Sequence, residues 1–404
     1  MNIAIIGGGA AGFFSAINAK ENYPKSNVVI FEKSEKVLSK VKVSGGGRCN
    51  VTNGCSSINE LVRAYPRGGK KLKKIFKEFN TTDTIEWFES KKTPLYIQED
   101  GRVFPKTDKS QTIINCLFKE INRLSIYLEL GSKIEKIEKV KDAIKLSFKN
   151  KDPQKFHKVI VATGGSPKIK GMDWIKELGH KIEAPVPSLF TFNMPDENIK
   201  KLMGLVVENT LVSIQGTKLK SDGPLLVTHW GMSGPAILKL SAFGAKILNE
   251  KNYNFKIQVN WVHESNNEKV EKQLREIIKT HPKKLISNIK PYLLPERIWE
   301  FIIEKSLLSK DKKWEELGNK GINKFVNLLT NDIYSVKGKT TFKEEFVTCG
   351  GVNIDEVNLN TMESKICKGL YFAGEILDID AITGGYNFQA AWSTGFIAGK
   401  LNST

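Results

Sequence analysis

A glycine-rich turn between two apolar segments is the feature that most constrains the fold of this chain. The apolar segment NIAII at 2–6 runs into Gly7-Gly8-Gly9-Ala10-Ala11-Gly12, and a second apolar segment, NVVIFE, follows at 27–32. A strand, a GxGxxG turn, a helix and a second strand within ~30 residues form the βαβ unit of dinucleotide-binding proteins. The sequence therefore predicts that the chain begins with half of a Rossmann-type domain.

The glycines of this turn each have a physical task in such a unit. Gly7 permits the tight turn, Gly9 lets the backbone approach a pyrophosphate, and Gly12 lets the helix pack closely on the strand. The helix N-terminus favours the anion. Glu32 ends the second strand, where a carboxylate accepts a hydrogen bond from a ribose 2′-hydroxyl. The residues expected to contact the ADP part of the nucleotide are Gly7, Gly9, Ala11, Gly12, Glu32 and Lys33.

A second group of glycines and polar residues lies in the segment 40–53. The three successive glycines of SGGGRCN at 44–50 allow another close approach of the backbone to a ligand, and Arg48 is a possible donor to an anion. A flexible surface turn is the alternative for this segment. The predicted ligand contacts are Lys40, Ser44, Gly45, Gly46, Arg48 and Asn50.

Two later strand-to-glycine turns complete the predicted nucleotide site. One follows KVIVAT at 158–163, and the other follows GLYFAG at 369–374 and leads through Gly384-Gly385 into a last helix. The N–H groups of that helix would face the flavin edge on which negative charge grows during reduction. The GxGxxG turn permits NAD or FAD, and these additional segments favour FAD. The predicted contacts are Thr163, Gly164, Gly374, Glu375, Asp378, Gly385, Tyr386, Asn387, Phe388 and Gln389.

These motifs resemble those of the BaiN-like and aminoacetone oxidase family of FAD-dependent flavoproteins. The resemblance covers nearly the whole chain. The segments that carry it are SGGGRCNVTN at 44–53, GRVFP at 101–105, THWGMSGPAIL at 228–238, VTCGGV at 347–352, TMESK at 361–365 and GLYFAGEILDIDAITGGYNFQAAWSTG at 369–395. It implies FAD as the cofactor and an α/β fold in which a discontinuous, GR2-like Rossmann domain carries an inserted β-barrel-like domain and a small helical subdomain.

The domain boundaries follow from shifts in composition. Residues 185–262 carry strand-like spacing, whereas 266–330 are rich in Lys and Glu with helical periods. We expect the Rossmann-type domain to comprise 1–185 plus 345–404, the β-rich insertion 186–262 plus 331–344, and the helical subdomain 263–330.

Four further residues are candidates for acid–base or thiol chemistry. His229 could exchange a proton as hydride moves, or could simply shape the insertion. Tyr386 could line the flavin ring or contact substrate, or could be a packing residue. The charge of Arg48 would lower the pKa of the neighbouring Cys49 thiol, but the lack of a CxxC partner favours a structural cysteine. His180 follows a glycine and is expected to cap a helix C-terminus.

Composition restricts the class of protein further. The five cysteines have no CxxC spacing, which argues against disulfides and a metal site and fits a reducing cytoplasm. No apolar run reaches the ~18 residues of a membrane helix. The net charge of +18 points toward nucleic acids, but only seven of the 62 basic residues are arginine, and lysines alternate with glutamates. We therefore expect no dedicated nucleic-acid surface and no membrane partner.

The leading hypothesis is an FAD-dependent oxidoreductase that transfers a hydride between flavin N5 and a small organic substrate. The electron partner would be O2, or NAD(P)H that enters the substrate cleft transiently, since the chain has no second GxGxxG turn. Two alternatives stay open: a flavin-dependent factor that modifies RNA, and a non-catalytic FAD-binding redox module. The sequence leaves the substrate and the oligomeric state open.

Overall fold

The computed structural model describes residues 1–341 and 347–402 of the chain. The chain forms two compact units, Met1–Ser188 together with Phe342–Thr404, and Leu189–Thr341. The first unit is therefore discontinuous in sequence. The boundary expected at residue 345 lies outside the described residues, and the division of the insertion into a β-rich and a helical part stays a prediction.

The first unit begins with a βαβ arrangement and continues through short helices and hairpins. Its elements before the insertion are β1 (Asn2–Ile6), α1 (Ala10–Asn22), β2 (Asn27–Phe31), α2 (Ser39–Val43), β3 (Thr52–Asn53), α3 (Ile58–Leu61), α4 (Gly69–Glu78), α5 (Thr81–Ser90), β4 (Leu95–Ile97), β5 (Arg102–Pro105), α6 (Ser110–Arg123), β6 (Tyr127–Glu129), β7 (Ile134–Val140), β8 (Ala143–Phe148), β9 (Gln154–Phe156), β10 (Lys158–Val161), α7 (Asp173–Lys176) and β11 (Ile182–Ser188).

The second unit contains an antiparallel sheet and four longer helices among its described residues. Its elements are β12 (Thr191–Asn193), β13 (Val206–Ile214), β14 (Lys220–Val227), β15 (Gly231–Ser233), α8 (Pro235–Glu250), β16 (Asn254–Asn260), α9 (Asn267–Thr280), α10 (Glu296–Ser306), α11 (Gly318–Thr330), β17 (Asp332–Lys337) and β18 (Lys339–Thr340). The chain then returns to the first unit in β19 (Val347–Val352), β20 (Leu370–Phe372) and α12 (Tyr386–Gly399).

A five-stranded parallel sheet is the framework of the first unit. Its order is β20-β10-β1-β2-β6, and every neighbouring pair is parallel. The central strands are apolar throughout because both faces are covered, and Ile3 and Ile5 of β1 are fully buried. The predicted α/β class and Rossmann-type sheet are confirmed.

Small residues bring the first and last helices of this unit together. A Cβ on Gly395 of α12 would lie 3.0 Å from the carbonyl oxygen of Ala11, and a Cβ on Gly399 would lie 2.5 Å from Cβ of Asn18 in α1. The contacts advance in the same direction along both helices, so α1 and α12 are parallel and begin at the same end of the sheet. Two helix N-termini, each a favourable place for an anion or a carbonyl oxygen, therefore lie at that end.

The sequence predicts the wrong pairing partner for one strand, β6. Residues 126–148 alternate apolar and charged side chains, a pattern that predicts one continuous meander, but Tyr127–Glu129 pairs in parallel with β2, and the meander is β7-β8-β9. A three-residue strand shows the same alternation whichever neighbour it pairs with, so its sequence carries no information on its partner.

The inserted segment contains a helix where the sequence predicted only strands. The sheet has the order β17-β16-β13-β14-β15-β12-β18, and the sixteen-residue α8 lies within the segment that the sequence assigned to strands. Pro235 at the first helical position, after Gly234 at φ 93°, was the available signal for this helix. In the described part of the chain, no helix is long and apolar enough to cross a membrane.

Candidate cofactor site and active centre

The predicted nucleotide ligands gather where the parallel strands end. β1 ends before Gly7, β2 before Glu32, β10 before Ala162-Thr163 and β20 before Ala373-Gly374. These four strands are neighbours in one parallel sheet, so their carboxyl ends share one edge. Ligands of open α/β sheets bind outside this edge.

The glycines of the first turn divide into two kinds. Gly7 has φ 114°, and a Cβ there would lie 2.4 Å from the carbonyl oxygen of Ala162; a Cβ on Gly12 would lie 1.9 Å from that of Gly7. Gly9, in contrast, has no atom within 4 Å of its Cβ position. Packing therefore requires Gly7 and Gly12, while Gly9 faces open space at the N-terminus of α1, which has no side-chain cap and no acid in its first turn.

Glu32 is held beside this turn by three hydrogen bonds. Its carboxylate accepts from the Gly8 N–H at 2.8 Å and from the N–H and hydroxyl of Ser34 at 3.0 and 2.9 Å. These bonds fix the carboxylate where the sequence placed a ribose contact. The next residue, Lys33, is exposed.

Lys40 and Glu375 join distant parts of the chain at the same edge. Lys40 Nζ lies 2.6 Å from Glu375 Oε2, and Glu375 Oε1 accepts from the Thr348 N–H at 2.9 Å. A Cβ on Gly165 would lie 2.9 Å from Glu375 Oε1 and 2.8 Å from Thr348 Oγ1. The turns after β10 and β20 therefore meet here, and Gly164, at φ 74°, and the exposed Thr163 belong to the same turn.

Thr348 is a polar residue that the sequence reasoning missed. It is buried, and its hydroxyl oxygen has no hydrogen-bond partner in the described part of the chain. Its N–H, as noted, orients Glu375. The only signal for Thr348 in the sequence was TCGG at 348–351. A threonine at the start of a buried, glycine-rich strand finds few hydrogen-bond partners for its hydroxyl within that strand.

The SGGGRCN segment forms a tight turn with an open side. Gly45, Gly46 and Gly47 all have positive φ, and the Cβ positions of Gly46 and Gly47 have no atom within 4 Å. Arg48 is engaged within the protein, since its guanidinium lies 4.0 Å from the Phe104 ring centroid and 3.7 Å from Asp108. The Ser44 hydroxyl donates to Val41 O at 3.1 Å, and Asn50 Oδ1 accepts from the Val103 N–H at 3.3 Å. The glycines, rather than these side chains, offer room for a ligand.

The Cys49 thiol is not activated by its neighbour. The residue is fully buried, and burial raises the pKa of the thiol to about 12. The expectation that Arg48 lowers this pKa is wrong, because loss of hydration outweighs any attraction from the cation. Cys49 therefore has the structural role that the missing CxxC partner had favoured.

The start of α12 is built around two glycines with positive φ. A Cβ on Gly385 would lie 2.2 Å from the carbonyl oxygen of Thr52, and Asn53 Nδ2 donates to Gly384 O at 3.1 Å. No side chain caps this helix, and no acid lies in its first turn. Its first N–H groups are thus available to an electron-rich ligand edge.

Side chains after Gly385 have partners within the protein. Gln389 is fully buried, and its Oε1 accepts from the hydroxyls of Thr52 and Thr84 at 2.5 and 2.9 Å. Asn387 exchanges two hydrogen bonds with the backbone of Ala381, and Phe388 stacks on Trp392. These bonds fix the turn, and the expected contacts of these three side chains with the cofactor stay predictions.

Tyr386 is half-buried at the first position of α12. Its carbonyl oxygen accepts from the hydroxyl of Tyr65 at 2.6 Å, and its ring lies edge-on to that of Tyr65. An ordinary phenol is already protonated at neutral pH, and burial raises the pKa of Tyr386 still further above its ordinary value. It is therefore suited to donate a hydrogen bond or a proton.

A buried ion pair before α12 was not predicted. Arg67 Nε donates to Asp380 Oδ1 at 2.5 Å, and the Ser188 hydroxyl donates to Asp380 Oδ2 at 2.7 Å. Burial raises the pKa of Asp380, and the Arg67 guanidinium opposes this. The backbone of Asp378 is tied to β19 through a bond from its N–H to Val352 O at 2.9 Å. The loop 378–385 is thus anchored on both sides.

The two histidines singled out from the sequence lie in different settings. His229 is exposed in the turn between β14 and β15 of the second unit, with its ring 4.0 Å from that of Trp230. Its part in chemistry stays a prediction. His180 does not cap a helix: it is buried, with Nδ1 3.1 Å from Glu356 and Nε2 2.9 Å from Ser364 Oγ. The sequence prediction for His180 was wrong because these partners are distant in sequence.

Comparison with known proteins decides the family. The model of the HI0933-like protein Rossmann domain matches residues 1–401. The chain belongs to this family. It is 27% identical over 413 residues to a 3-dehydro-bile acid delta(4,6)-reductase of Clostridium scindens, with 98% of each chain covered. It is 28% identical over 403 residues to a ribosomal RNA dihydrouridine synthase of Haemophilus influenzae, with 97% of this chain and 96% of the relative covered.

Solved structures agree with the fold. A 3-ketosteroid-delta4-(5alpha)-dehydrogenase of Rhodococcus jostii has a TM-score of 0.52 at 12% identity, covering 98% of this chain and 96% of that chain. A flavocytochrome c3 fumarate reductase has a TM-score of 0.51 at 16% identity, covering 99% of this chain and 77% of that chain. The resemblance inferred from the motifs is confirmed, and the chain is an FAD-dependent oxidoreductase of the HI0933-like, BaiN-like family.

Proposed function

We propose that this enzyme reduces a carbon–carbon double bond conjugated to a carbonyl group. Two relatives that match nearly the full chain are named for different substrates, a 3-dehydro-bile acid and ribosomal RNA. A delta(4,6)-reductase and a dihydrouridine synthase both add hydrogen across a double bond conjugated to a carbonyl. The proposal rests on this shared reaction, because the two relatives reduce the same kind of double bond although their substrates differ.

The described residues fit FAD as the cofactor. The Gly9 turn at the start of α1 would hold the pyrophosphate, Glu32 the adenosine ribose, and Glu375 with Lys40 the hydroxyl-bearing chain next to the flavin. The uncapped start of α12 suits the electron-rich flavin edge. When bound and reduced by a hydride donor, FAD would supply a hydride to an electron-poor carbon and return to its oxidised form.

The chain itself would manage the proton. Tyr386 Oη is protonated at neutral pH, as an ordinary phenol is, and burial raises its pKa further; this hydroxyl can polarise the substrate carbonyl or protonate the carbon next to it. Each double bond reduced takes up one hydride at the far carbon and one proton at the near carbon. NAD(P)H is the proposed source of the hydride and leaves as NAD(P)⁺.

Anaerobic reduction of the purified flavoprotein tests this proposal. NADPH or NADH should bleach the long-wavelength flavin band, and an added conjugated enone or uridine should restore it. Saturated ketones of the same size should not. Recovery of colour with O2 but with none of the unsaturated compounds under anaerobic conditions would favour an oxidase and contradict the proposal.

A matched pair of variants tests the proton donor. Tyr386→Phe should slow reoxidation by the enone by roughly 10²-fold or more if the hydroxyl acts in the reaction. Tyr65→Phe removes a hydroxyl that bonds only to the backbone of Tyr386 among the contacts described, and should change the rate far less. Equal, small effects of both variants would remove Tyr386 from the reaction and leave the reduction of the enone standing.

A further inference from the structure

Helix α4 carries an unusual row of charges on its exposed face. Lys70, Lys73, Lys74 and Lys77 are all exposed and recur at i, i+3, i+4 and i+7, which places them on one side of the helix. None of the four has a carboxylate within ion-pair distance in the described part of the chain. These four lysines are called the α4 basic face below.

Several other exposed lysines of the chain lie in ion pairs, whereas the α4 basic face groups four lysines, unpaired among the described residues, on one side of a single helix. Lys269 lies 3.5 Å from Glu264, Lys337 lies 2.6 Å from Asp196, and Lys136 lies 2.8 Å from Glu138. The one acid of α4, Glu78, lies 3.3 Å from Lys400. Like charges along one helix face repel each other, so the α4 basic face costs stability that no nearby acid offsets.

The opposite side of α4 fixes the helix in the core of the first unit. Leu72, Ile75 and Phe76 are fully buried there. An amphipathic helix binds a membrane by inserting its apolar side between lipid head groups, and this apolar side is already covered. The α4 basic face can therefore attract an anionic partner only through its charges.

A shallow groove of about 270 Å³ extends the charged surface beside α4. Lys74 of the basic face lines it together with Lys71 and Lys365, and Asp355 and Asn358 lie on its other side. Lys71 pairs with the Asp355 carboxylate, and Lys365 Nζ donates to the backbone oxygen of Asp355 at 2.8 Å. The single acid of the groove is thus neutralised by its neighbour, so the surface stays positive.

We infer that the α4 basic face is a docking surface for RNA. From Lys70 to Lys77 the helix rises about 10.5 Å, so the four lysines form a row of positive charge that can contact more than one phosphate of an RNA backbone. Lysine without arginine suits backbone attraction rather than base reading. Composition, which does not separate paired from unpaired lysines, led us to expect no dedicated nucleic-acid surface; the four lysines on one helix face, unpaired within the described ranges, favour such a surface.

This inference deepens the proposed reaction, on which its substrate class rests. Uracil contains a C5=C6 double bond conjugated to its C4 carbonyl. Addition of a hydride at C6 and a proton at C5 would reduce it, with NAD(P)H as the hydride source. A substrate base carried on RNA would then be held in place by phosphates bound at α4, outside the nucleotide site.

Two variants of equal charge test the inference. In the face variant, Lys70, Lys73, Lys74 and Lys77 are changed to Gln; in the control variant, Lys136, Lys181, Lys269 and Lys337, all exposed and ion-paired, are changed to Gln. Both lower the net charge by four, and Gln keeps helix propensity close to that of Lys. Fluorescence anisotropy with a labelled, uridine-containing RNA hairpin of about 20 nucleotides measures binding between 50 and 200 mM salt.

The face variant should bind the hairpin at least about tenfold more weakly at 50 mM salt, with a log–log salt slope smaller by about 3, and the control variant should bind like the unchanged protein. Equal weakening in both variants would show a general charge effect and overturn the inference. So would no binding by the unchanged protein at 50 mM salt, or face-dependent binding to phosphatidylserine vesicles without binding to the hairpin.

The reaction assay separates this inference from the proposed function. Reduction of a small enone by NADPH should proceed equally in the unchanged protein and the face variant, while reduction of uridine in the hairpin should fall in the face variant. If the protein reduces the enone but does not bind the RNA hairpin, only the proposed docking surface is contradicted. If RNA binding depends on the α4 basic face but no unsaturated compound is reduced, the proposed reaction is contradicted and the docking surface is supported.

Discussion

The ammonium of Lys40 lies 2.6 Å from the carboxylate of Glu375, a residue 335 positions further along the chain. The pair joins α2 to the turn after β20 at the edge of the sheet where the predicted nucleotide ligands lie. Both side chains are partly exposed, so the ion pair contributes little to the free energy of folding. Its main effect is to fix the positions of two candidate cofactor ligands.

Removal of the lysine should therefore separate stability from cofactor binding. Lys40→Met should lower the free energy of unfolding by no more than about 1 kcal/mol, as for an exposed ion pair. It should lower the FAD content of the purified protein and raise the Kd for FAD. Lys42→Met, at an exposed lysine of the same helix, is the control and should change neither. Full FAD affinity in Lys40→Met would remove Lys40 from the cofactor site.

Gly9 offers the sharpest test of the pyrophosphate position. Its backbone is extended, at φ −94° and ψ −172°, and nothing lies within 4 Å of its Cβ position, so Gly9→Val should fold. The added side chain would fill the space expected for the pyrophosphate, and FAD retention should be lost. Thermal unfolding and flavin absorbance measure the two effects.

Gly12 supplies the contrast to Gly9. A Cβ there would lie 1.9 Å from the carbonyl oxygen of Gly7, so even Gly12→Ala should disturb the fold itself. A folded Gly9→Val protein with normal flavin content would place the pyrophosphate elsewhere.

Thiol labelling should distinguish the cysteines. Cys55 is half-buried, whereas Cys49, Cys116, Cys349 and Cys367 are buried. A thiolate is the reactive form, and burial raises the pKa of Cys49 to about 12, so this thiol should stay unreactive at pH 8. The native protein should take up about one equivalent of a thiol reagent, and Cys55→Ser should abolish the uptake. Rapid labelling at Cys49 would mean that the SGGGRCN turn opens in solution.

His180 should make stability depend on pH. Burial lowers its pKa below the ordinary 6.5, although the Glu356 carboxylate opposes this. At a pH between the lowered pKa of His180 in the folded chain and its ordinary pKa of 6.5 in the unfolded chain, the unfolded chain binds a proton that the folded chain does not. The free energy of unfolding should therefore fall as the pH drops below about 6.5.

Thermal unfolding at pH 7 and pH 5 measures this effect. His180→Gln should show a smaller loss of Tm between the two values than the unchanged protein, and the exposed His263→Gln should show the same loss. An identical pH dependence in His180→Gln would mean that this imidazole does not titrate differently in the folded state.

Some features of the site could be predicted because each rests on a short stretch of backbone. Gly7, Gly12 and Gly385 stand where φ or a close contact excludes a side chain, and such needs are visible as glycine patterns beside apolar strands. The α8 helix was missed because the strand-like segments on either side of it led to one assignment for the whole of 185–262. Its buried residues nevertheless recur at helical spacing, at Ile237, Leu240, Ser241, Gly244, Ala245 and Leu248.

The sequence by itself determined the βαβ start, the ends of the parallel strands and the family, because these depend on local periodicity and on glycines with one permitted use. Only the tertiary structure decided which charged groups meet. It placed Lys40 on Glu375, Arg67 on Asp380 and His180 between Glu356 and Ser364. It also left Lys70, Lys73, Lys74 and Lys77 of α4 without a carboxylate at ion-pair distance among the described residues. Such pairings follow from the distances between segments far apart in the chain, and no local pattern of residues encodes those distances.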